Sequence, residues 1–201
     1  QAELGIEPSE ALRTAALGRS RTGLAEGPAA VRANIDAGRA AIAAGAIDAG
    51  ILCLRAAVLG AESDGDTALL ARALSTFGAS LARVGNSFSE AEAILRRGLT
   101  AAGEASDRQS AVVAHRELGF LRVQAGYRAE GDQHLSTAIE LAAGDASQLA
   151  SILGCRGMSL CDEARYDEAK RCLSVSIEHA RRCERHRKVS WSLSMLGRVH
   201  L

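Results

Sequence analysis

Aromatic side chains are scarce in this chain of 201 residues: they make up 3% of it, whereas hydrophobic residues make up 47%. Its core must therefore consist mainly of Ala and Leu side chains, which fill space only where the surrounding elements approach closely. Proline occurs twice and β-branched runs are few, so little in the chain favours strands. Composition predicts an all-α protein.

The chain also has a formal net charge of zero, because 24 Lys and Arg residues balance 24 Asp and Glu residues. This balance disfavours a chain that binds nucleic acid along its whole surface, which needs an excess or a cluster of positive charge. The five cysteines are an odd number spread over a long chain, which argues against a secreted disulfide framework and predicts reduced thiols and a cytoplasmic location. The sequence contains neither a signal peptide nor an apolar run of the roughly 18 residues that a membrane span needs.

Sequence motifs of catalysis are absent as well. The chain has no GxSxG nucleophile elbow, no HExxH pair and no phosphate-cradling GxxxxGK loop, each of which places reactive groups at a fixed spacing. We therefore predict that the protein is not an enzyme and that it has no cofactor and no metal site.

What the chain does contain is a recurring pattern of small residues and leucine. A glycine is followed by a turn, then by a small residue, a leucine four positions later and another small residue three positions after that. The four sets are Gly38/Gly50/Leu54/Ala57, Gly78/Ala91/Leu95/Gly98, Gly119/Gly131/Leu135/Ala138 and Gly157/Ala169/Leu173/Ser176. These opening glycines and a fifth, Gly197, lie 40, 41, 38 and 40 residues apart, which predicts a protein built of helical repeats.

The repeat unit is predicted to be a pair of helices. The pairs are expected at about 28–44 with 46–59, 67–84 with 90–102, 108–125 with 129–143 and 147–163 with 167–182, followed by a helix at 187–201. Gly45, Gly85 and Gly126 mark the turns, and Gly103 and Gly144 are predicted to end second helices in the left-handed conformation. Ser89 and Glu92 fit a capping box. A glycine in mid-helix costs about 1 kcal/mol relative to alanine, so we expect these glycines to allow close helix approach over each repeat leucine.

The pattern resembles tetratricopeptide repeats (TPR), which carry a glycine in the first helix, a turn seven residues later and a small–x3–large–x2–small motif in the second. Tyr127 and the segment Tyr166–Ala169 fit the family's start of the second helix. The resemblance covers residues 28–201 and implies an alpha-alpha superhelix, a TPR-like solenoid of about four and a half repeats, in a domain spanning 23–201. The period exceeds the family's usual length of about 34 residues, which suggests longer helices, as in the repeat arrays of large bacterial regulators.

Residues 1–22 do not fit the repeat. The segment Glu3–Arg13 resembles the end of the bacterial transcriptional activator domain, in which Leu-Gly-Val/Ile-Glu-Pro-Ser leads into the last helix, although Glu10 stands where that family often has a second proline. The resemblance implies that 1–22 is the tail of a regulator domain plus a linker, and that DNA is contacted only through a domain missing from this chain. The alternative is an ordinary helix that starts at Pro8.

The TPR resemblance also implies that the first helices line a concave groove. The groove residues it predicts are Arg32, Arg39, Arg72, Arg83, Arg116, Phe120, Gln124, Met158, Asp162, Trp191 and Arg198. A groove so rich in arginine suits an acidic peptide, a protein or a small anion held by bidentate contacts. Alternatively, these arginines are solvated or paired along their helices. They do not match the lysine and asparagine pattern of the family's chaperone-binding clamp.

Two further clusters have structural explanations. His179, Cys183 and His186 share one helix face at a spacing that could present metal ligands, but a semi-buried packing position explains it as well. The basic run Arg181–Lys188 has the composition expected where a helix ends.

Taken together, the residues predict a module that binds a protein, peptide or ligand within a bacterial transcriptional regulator. The alternative is a TPR scaffold for complex assembly with no regulatory role. The apolar last helix is expected to form a contact surface, which would allow homo-oligomers.

Overall fold

The structure is a computed structural model that describes residues 27–85 and 87–199. Over these residues the chain forms nine α-helices and no strand, which confirms the all-α prediction. The helices are α1 Pro28–Ala43, α2 Ile47–Asp64, α3 Thr67–Val84, α4 Phe88–Glu104, α5 Arg108–Gln124, α6 Arg128–Leu141, α7 Ala146–Asp162, α8 Tyr166–Arg182 and α9 His186–Arg198. The segment 1–22, including the regulator-like stretch 3–13, lies outside the described residues.

The helices form two rows. Each helix packs against the next one in the chain, and the most extensive contacts lie within the predicted pairs, such as α3 with α4 and α7 with α8. The first helices α1, α3, α5, α7 and α9 also touch one another in that order. Among the described helices, the backbones of the second helices do not come into contact, although α2 and α4 are joined by side-chain ion pairs such as Arg55 with Glu90. The first helices therefore form an inner row in mutual contact, and the second helices form an outer row.

The helix glycines let the two rows approach, as expected from their spacing. A Cβ atom added at Gly119 would lie 2.7 Å from Leu135 Cγ and 3.0 Å from the Gly131 carbonyl oxygen, closer than real Cβ atoms pack. At Gly157 the corresponding distance to Leu173 Cγ is 2.6 Å. The four repeat leucines Leu54, Leu95, Leu135 and Leu173 are fully buried. Each leucine thus occupies the space that its partner glycine leaves free.

The turns follow the predicted period with one substitution. Gly45, Gly85 and Gly126 all have positive φ, as does Gly144 at the end of the third pair. In the fourth pair the corresponding turn residue is Ala164, which adopts a φ of +58°. A residue with a Cβ pays a steric cost in that conformation.

The predictions for both ends of α4 are wrong. Gly103 lies inside α4, and the left-handed residue beyond this helix is Ser106, with φ of +53°. The capping box assigned to Ser89 and Glu92 is displaced by two residues: Ser87 caps α4 by accepting a hydrogen bond from the Glu90 backbone N–H at 3.3 Å. Both ends of α4 extend beyond the apolar periodicity from which its limits were predicted.

Candidate anion-binding site

A cavity of about 340 Å³ lies on the inner row of helices. Its walls come from α1, α3, α5 and α7 and from the start of α9, so every first helix contributes at least one side chain. The lining residues are Arg39, Arg72, Ser75, Thr76, Ala79, Ser80, Arg83, Asp107, Gln109, Ser110, Val113, Arg116, Asp145, Ser147, Gln148, Ser151, Arg185 and Lys188. Its size falls within the range of small-molecule sites.

Four of the predicted groove residues line this cavity: Arg39, Arg72, Arg83 and Arg116. The structure places the other seven outside its lining, namely Arg32, Phe120, Gln124, Met158, Asp162, Trp191 and Arg198. Among these, Arg198 donates to Asp162 at 3.3 Å. Trp191 packs on the backbone of Gly154, where an added Cβ would lie 2.7 Å from its ring.

Arg116 sits in the floor of the cavity as part of a buried ion network. Arg116 Nε donates to Glu117 Oε1 at 3.0 Å, and Arg83 Nη2 donates to the same oxygen at 3.2 Å. A second nitrogen of the Arg116 guanidinium donates to Gln148 Oε1 at 2.9 Å. Arg116 is 6% exposed and Glu117 is 5% exposed. Arg116 therefore differs from the exposed Arg39 and Arg72, although all three were predicted to line the groove.

The protonation equilibria of this network favour the charged pair. Burial by itself raises the pKa of the Glu117 carboxyl, but the charges of Arg116 and Arg83 and their hydrogen bonds outweigh it and hold the pKa below its ordinary value. Burial opposes the charge of Arg116, yet the adjacent Glu117 carboxylate raises the pKa of the guanidinium. The pair remains ionised at neutral pH.

Lys188 and Arg185 reach the cavity from the C-terminal side. Arg185 donates to Ser147 Oγ across the α7–α9 contact. Lys188 is half-buried, with its ammonium nitrogen 5.8 Å from the centre of the Trp191 ring, a cation–π distance. Burial, together with the positive charges of Arg116 and Arg83, lowers the pKa of Lys188. The start of α9 thus adds two cations to a cavity that Arg83 and Arg116 already line.

Six lining residues were not among the predicted groove residues, although a periodic signal in the sequence marks them. Asp107, Asp145 and Arg185 each lie twelve residues before a helix glycine, and Ser110, Gln148 and Lys188 each lie nine before one. Asp107 and Asp145 cap α5 and α7: Asp107 Oδ1 accepts from the Gln109 N–H at 3.0 Å, and Asp145 Oδ1 accepts from the Gln148 N–H at 3.0 Å. A predicted groove that also included the positions nine and twelve residues before each helix glycine would have contained all six residues.

The charges around the cavity do not cancel. Six cationic side chains, Arg39, Arg72, Arg83, Arg116, Arg185 and Lys188, line it, against the carboxylates of Asp107 and Asp145 and the buried Glu117 beneath them. Six positive against three negative groups leave a formal charge of +3. Within residues 27–85 and 87–199, neither Arg39 nor Arg72 forms a salt bridge. Exposed guanidinium groups next to a partly enclosed space are suited to holding an anion.

A second, larger cavity of about 720 Å³ opens beside the α6–α7 loop. Its basic residue Arg108 is engaged with the end of α6, because it donates to the carbonyl oxygens of Leu141 and Ala143. The remaining lining includes apolar side chains such as Val112 and Leu141. Volume alone favours this cavity, but convergent polar groups identify a ligand site better, and they lie in the smaller cavity.

Metal ligands do not gather in the part of the chain that the structure describes: no three or more His, Cys, Asp or Glu side chains there are placed to hold an ion. The spacing of His179, Cys183 and His186 therefore does not assemble a ligand set. Nor is any described helix both long and apolar enough to cross a membrane. The chain matches no protein-family model and no curated protein sequence.

Proposed function

We propose that this chain is a non-enzymatic binding module, a TPR-like solenoid whose inner row of helices binds an anionic ligand. The observation that carries the proposal is the cavity with a formal charge of +3, assembled from all five first helices. In a solenoid, each repeat contacts only its neighbours and the array curves, so that one face becomes an extended binding surface. The mutual contacts of α1, α3, α5, α7 and α9 support the assignment of the inner row to that concave face.

Within this proposal the module belongs to a bacterial transcriptional regulator. Support comes from the sequence of residues 3–13, which resembles the end of a transcriptional activator domain and is joined by a short linker to the repeats. Ligand occupancy would then be relayed to a DNA-binding domain elsewhere in the protein. The regulator hypothesis predicts a winged-helix sequence preceding residue 1 in the parent reading frame, and a parent without one would disprove it.

Binding of an anion is tested by replacing the two exposed cations that need not stabilise the fold. Arg39→Gln with Arg72→Gln should weaken binding of inorganic phosphate or of a poly-glutamate peptide by about tenfold or more, since each charge-assisted hydrogen bond contributes about 1.5–3 kcal/mol. Calorimetric titration measures this change. The matched control is Arg128→Gln with Arg171→Gln, two exposed arginines of the outer row. Equal effects in the two double variants would place binding outside the inner row.

The alternative, a scaffold for protein complexes, gains support from one feature of the outer row. Leu52 and Leu59 are 67% and 65% exposed and lie seven residues apart on one face of α2. Exposed leucines in such a pair are suited to a protein contact. If Leu52→Glu with Leu59→Glu abolished capture of a partner that the Arg39 and Arg72 variants still bound, the scaffold function would replace the anion-binding one.

A further inference from the structure

We infer that the cavity on the inner row binds a small phosphate ester of a sugar or polyol rather than an acidic protein segment. This inference rests on the proposed function, because it names the ligand class of the same cavity. The features that carry it are the arrangement of cations, the polar character of the rest of the lining, and the volume.

The six cations all line the same cavity of about 340 Å³. Arg39 comes from α1, Arg72 and Arg83 come from α3, Arg116 comes from α5, and Arg185 and Lys188 come from the start of α9. An extended acidic peptide needs positive charges spread along its length, whereas a phosphate group concentrates a charge of about −1.5 to −2 at one point. Six cations that line one small cavity, with a formal excess of +3, match such a concentrated charge.

Hydrogen-bonding groups make up most of the rest of the lining. Six hydroxyl groups belong to Ser75, Thr76, Ser80, Ser110, Ser147 and Ser151, and two amides belong to Gln109 and Gln148. The apolar members are Ala79 and Val113. A protein segment bound in a groove ordinarily buries apolar anchors, and this cavity offers such anchors few contacts. A ligand rich in hydroxyl groups would instead find partners on every wall.

Acceptor oxygens on the lining of the cavity suit the hydroxyl groups of a ligand. Asp107 and Asp145 lie on the lining and use Oδ1 to cap their helices. Ser75 Oγ donates to the Arg72 carbonyl oxygen at 3.2 Å and Ser80 Oγ donates to the Thr76 carbonyl oxygen at 2.9 Å, so the oxygens of these serines retain acceptor capacity. Ligand hydroxyl groups can donate to such acceptors.

The volume of the cavity also favours a small ligand over a protein segment. A volume of about 340 Å³ lies near the lower end of the range of about 300–1,000 Å³ for small-molecule sites. It accommodates a phosphorylated sugar, whereas a helix of a partner protein, about 10 Å across with its side chains, would have to lie outside it.

Calorimetric titration with four probes tests the ligand class: glucose 6-phosphate, inorganic phosphate, glucose and a poly-glutamate peptide. We expect glucose 6-phosphate to bind at least about tenfold more tightly than phosphate, because one or two added hydrogen bonds suffice for that factor. Glucose and the peptide should bind more weakly than phosphate. The Arg72→Gln/Lys188→Gln variant should weaken binding of both phosphate-bearing probes by about tenfold or more.

A neutral variant separates recognition of the sugar from recognition of the charge. Thr76→Val with Gln109→Ala removes a hydroxyl and an amide from the lining and leaves every cation in place. It should reduce the preference for glucose 6-phosphate over phosphate and leave phosphate binding within about twofold. Arg171→Gln on the outer row serves as the control for a change of net charge.

The outcomes distinguish this inference from the proposed function. Binding of the peptide alone would overturn the sugar-phosphate inference and leave the anion-binding function standing. Equal affinity for phosphate and glucose 6-phosphate would reduce the cavity to an adventitious ion site and would also overturn the inference. If none of the anionic probes bound, the proposed function itself would fail.

Discussion

Arg116 and Glu117, adjacent in the chain, form a buried ion pair in which Arg116 Nε lies 3.0 Å from Glu117 Oε1. Adjacent residues on a helix normally point in different directions. Here the two long side chains converge because Arg83 of α3 donates to the same carboxylate oxygen and Gln148 of α7 accepts from Arg116. Three consecutive first helices are thereby joined through one ion pair.

Removing the Glu117 charge should therefore destabilise the fold. Glu117→Gln leaves Arg116 buried without a counter-charge, a change that costs about 3–5 kcal/mol in comparable pairs. Chemical denaturation measures the free energy of unfolding. Glu178→Gln, which breaks the exposed pair with Arg182, is the control and should cost at most about 1 kcal/mol. Similar losses in both variants would mean that the buried pair contributes no more than a surface one.

The same pair predicts a loss of stability in acid. Because the pKa of Glu117 is lower in the folded protein than its ordinary value near 4.5, its contribution to stability is present above that value. It is lost as the pH falls through the folded-state pKa. The free energy of unfolding should decline less steeply below pH 5 in Glu117→Gln than in the wild type. Parallel curves would contradict the assignment.

Two glycine substitutions should have opposite effects. Gly119→Ala places a Cβ 2.7 Å from Leu135 Cγ and 3.0 Å from a backbone oxygen, so it should lower the free energy of unfolding by about 1–3 kcal/mol. Gly103→Ala lies within α4, where the added Cβ meets nothing within 4 Å. It should raise stability by about 0.5–1 kcal/mol. A stabilising Gly119→Ala would show that the helices can separate at no cost.

The Ala164 turn offers a stabilising change. Its φ of +58° costs an alanine roughly 1–2 kcal/mol, and glycine escapes this cost. Ala164→Gly should therefore raise the thermal midpoint even though glycine entropy offsets part of the gain. Ala93→Gly, at an exposed position inside α4, should lower stability by about 1 kcal/mol. If both variants were destabilised, the left-handed turn would be disproved.

The histidine pair between α5 and α6 predicts a second pH dependence. His115 Nδ1 and His134 Nδ1 lie 2.9 Å apart. Burial lowers the pKa of both imidazoles. The charge of His134 lowers the pKa of His115 further, and the charges of Arg96 and Arg122 lower that of His134 further. The unfolded chain then binds more protons near pH 6, so stability is complete above about pH 6.5 and falls with acidification.

His134→Gln keeps a polar group at this position but cannot take up a proton. Denaturation at pH 7.5 and at pH 5.5 should show a smaller difference in the variant than in the wild type. His186→Gln at the exposed start of α9 is the control for loss of one histidine. An unchanged difference in His134→Gln would exclude the pair as the source of the acid sensitivity.

The partly exposed apolar face of α9 predicts that the protein self-associates. Leu193 is 46% exposed, and Met195 and Leu196 are half-buried. Trp191, by contrast, packs against Gly154 of its own array. Light scattering over a range of concentrations should show association of the wild type that Leu193→Glu suppresses. A wild type that stays monomeric at every concentration would contradict this prediction.

The sequence by itself determined the helical class, the repeat period and the packing within each pair. Gly78 with Leu95 and Gly157 with Leu173 could be predicted because their partners lie 17 and 16 residues further along one helix–turn–helix unit. Gly85 and Gly126 could be placed for the same reason, since a left-handed turn requires a local residue type. The ends of α4 could not be predicted in this way, because helix ends depend on capping hydrogen bonds as well as on apolar periodicity.

Only the tertiary structure decided which groove residues meet. The groove prediction included both Arg72 and Arg116, yet Arg72 is exposed and Arg116 is buried against Glu117. Lys188 belongs to a basic run that local composition assigns to a helix end, and it reaches the cavity because α9 packs on α7. The contacts of Glu117 with Arg83 and of Arg116 with Gln148 join side chains from different repeats. They depend on the angle and distance between neighbouring first helices, and the period of the sequence does not encode either quantity.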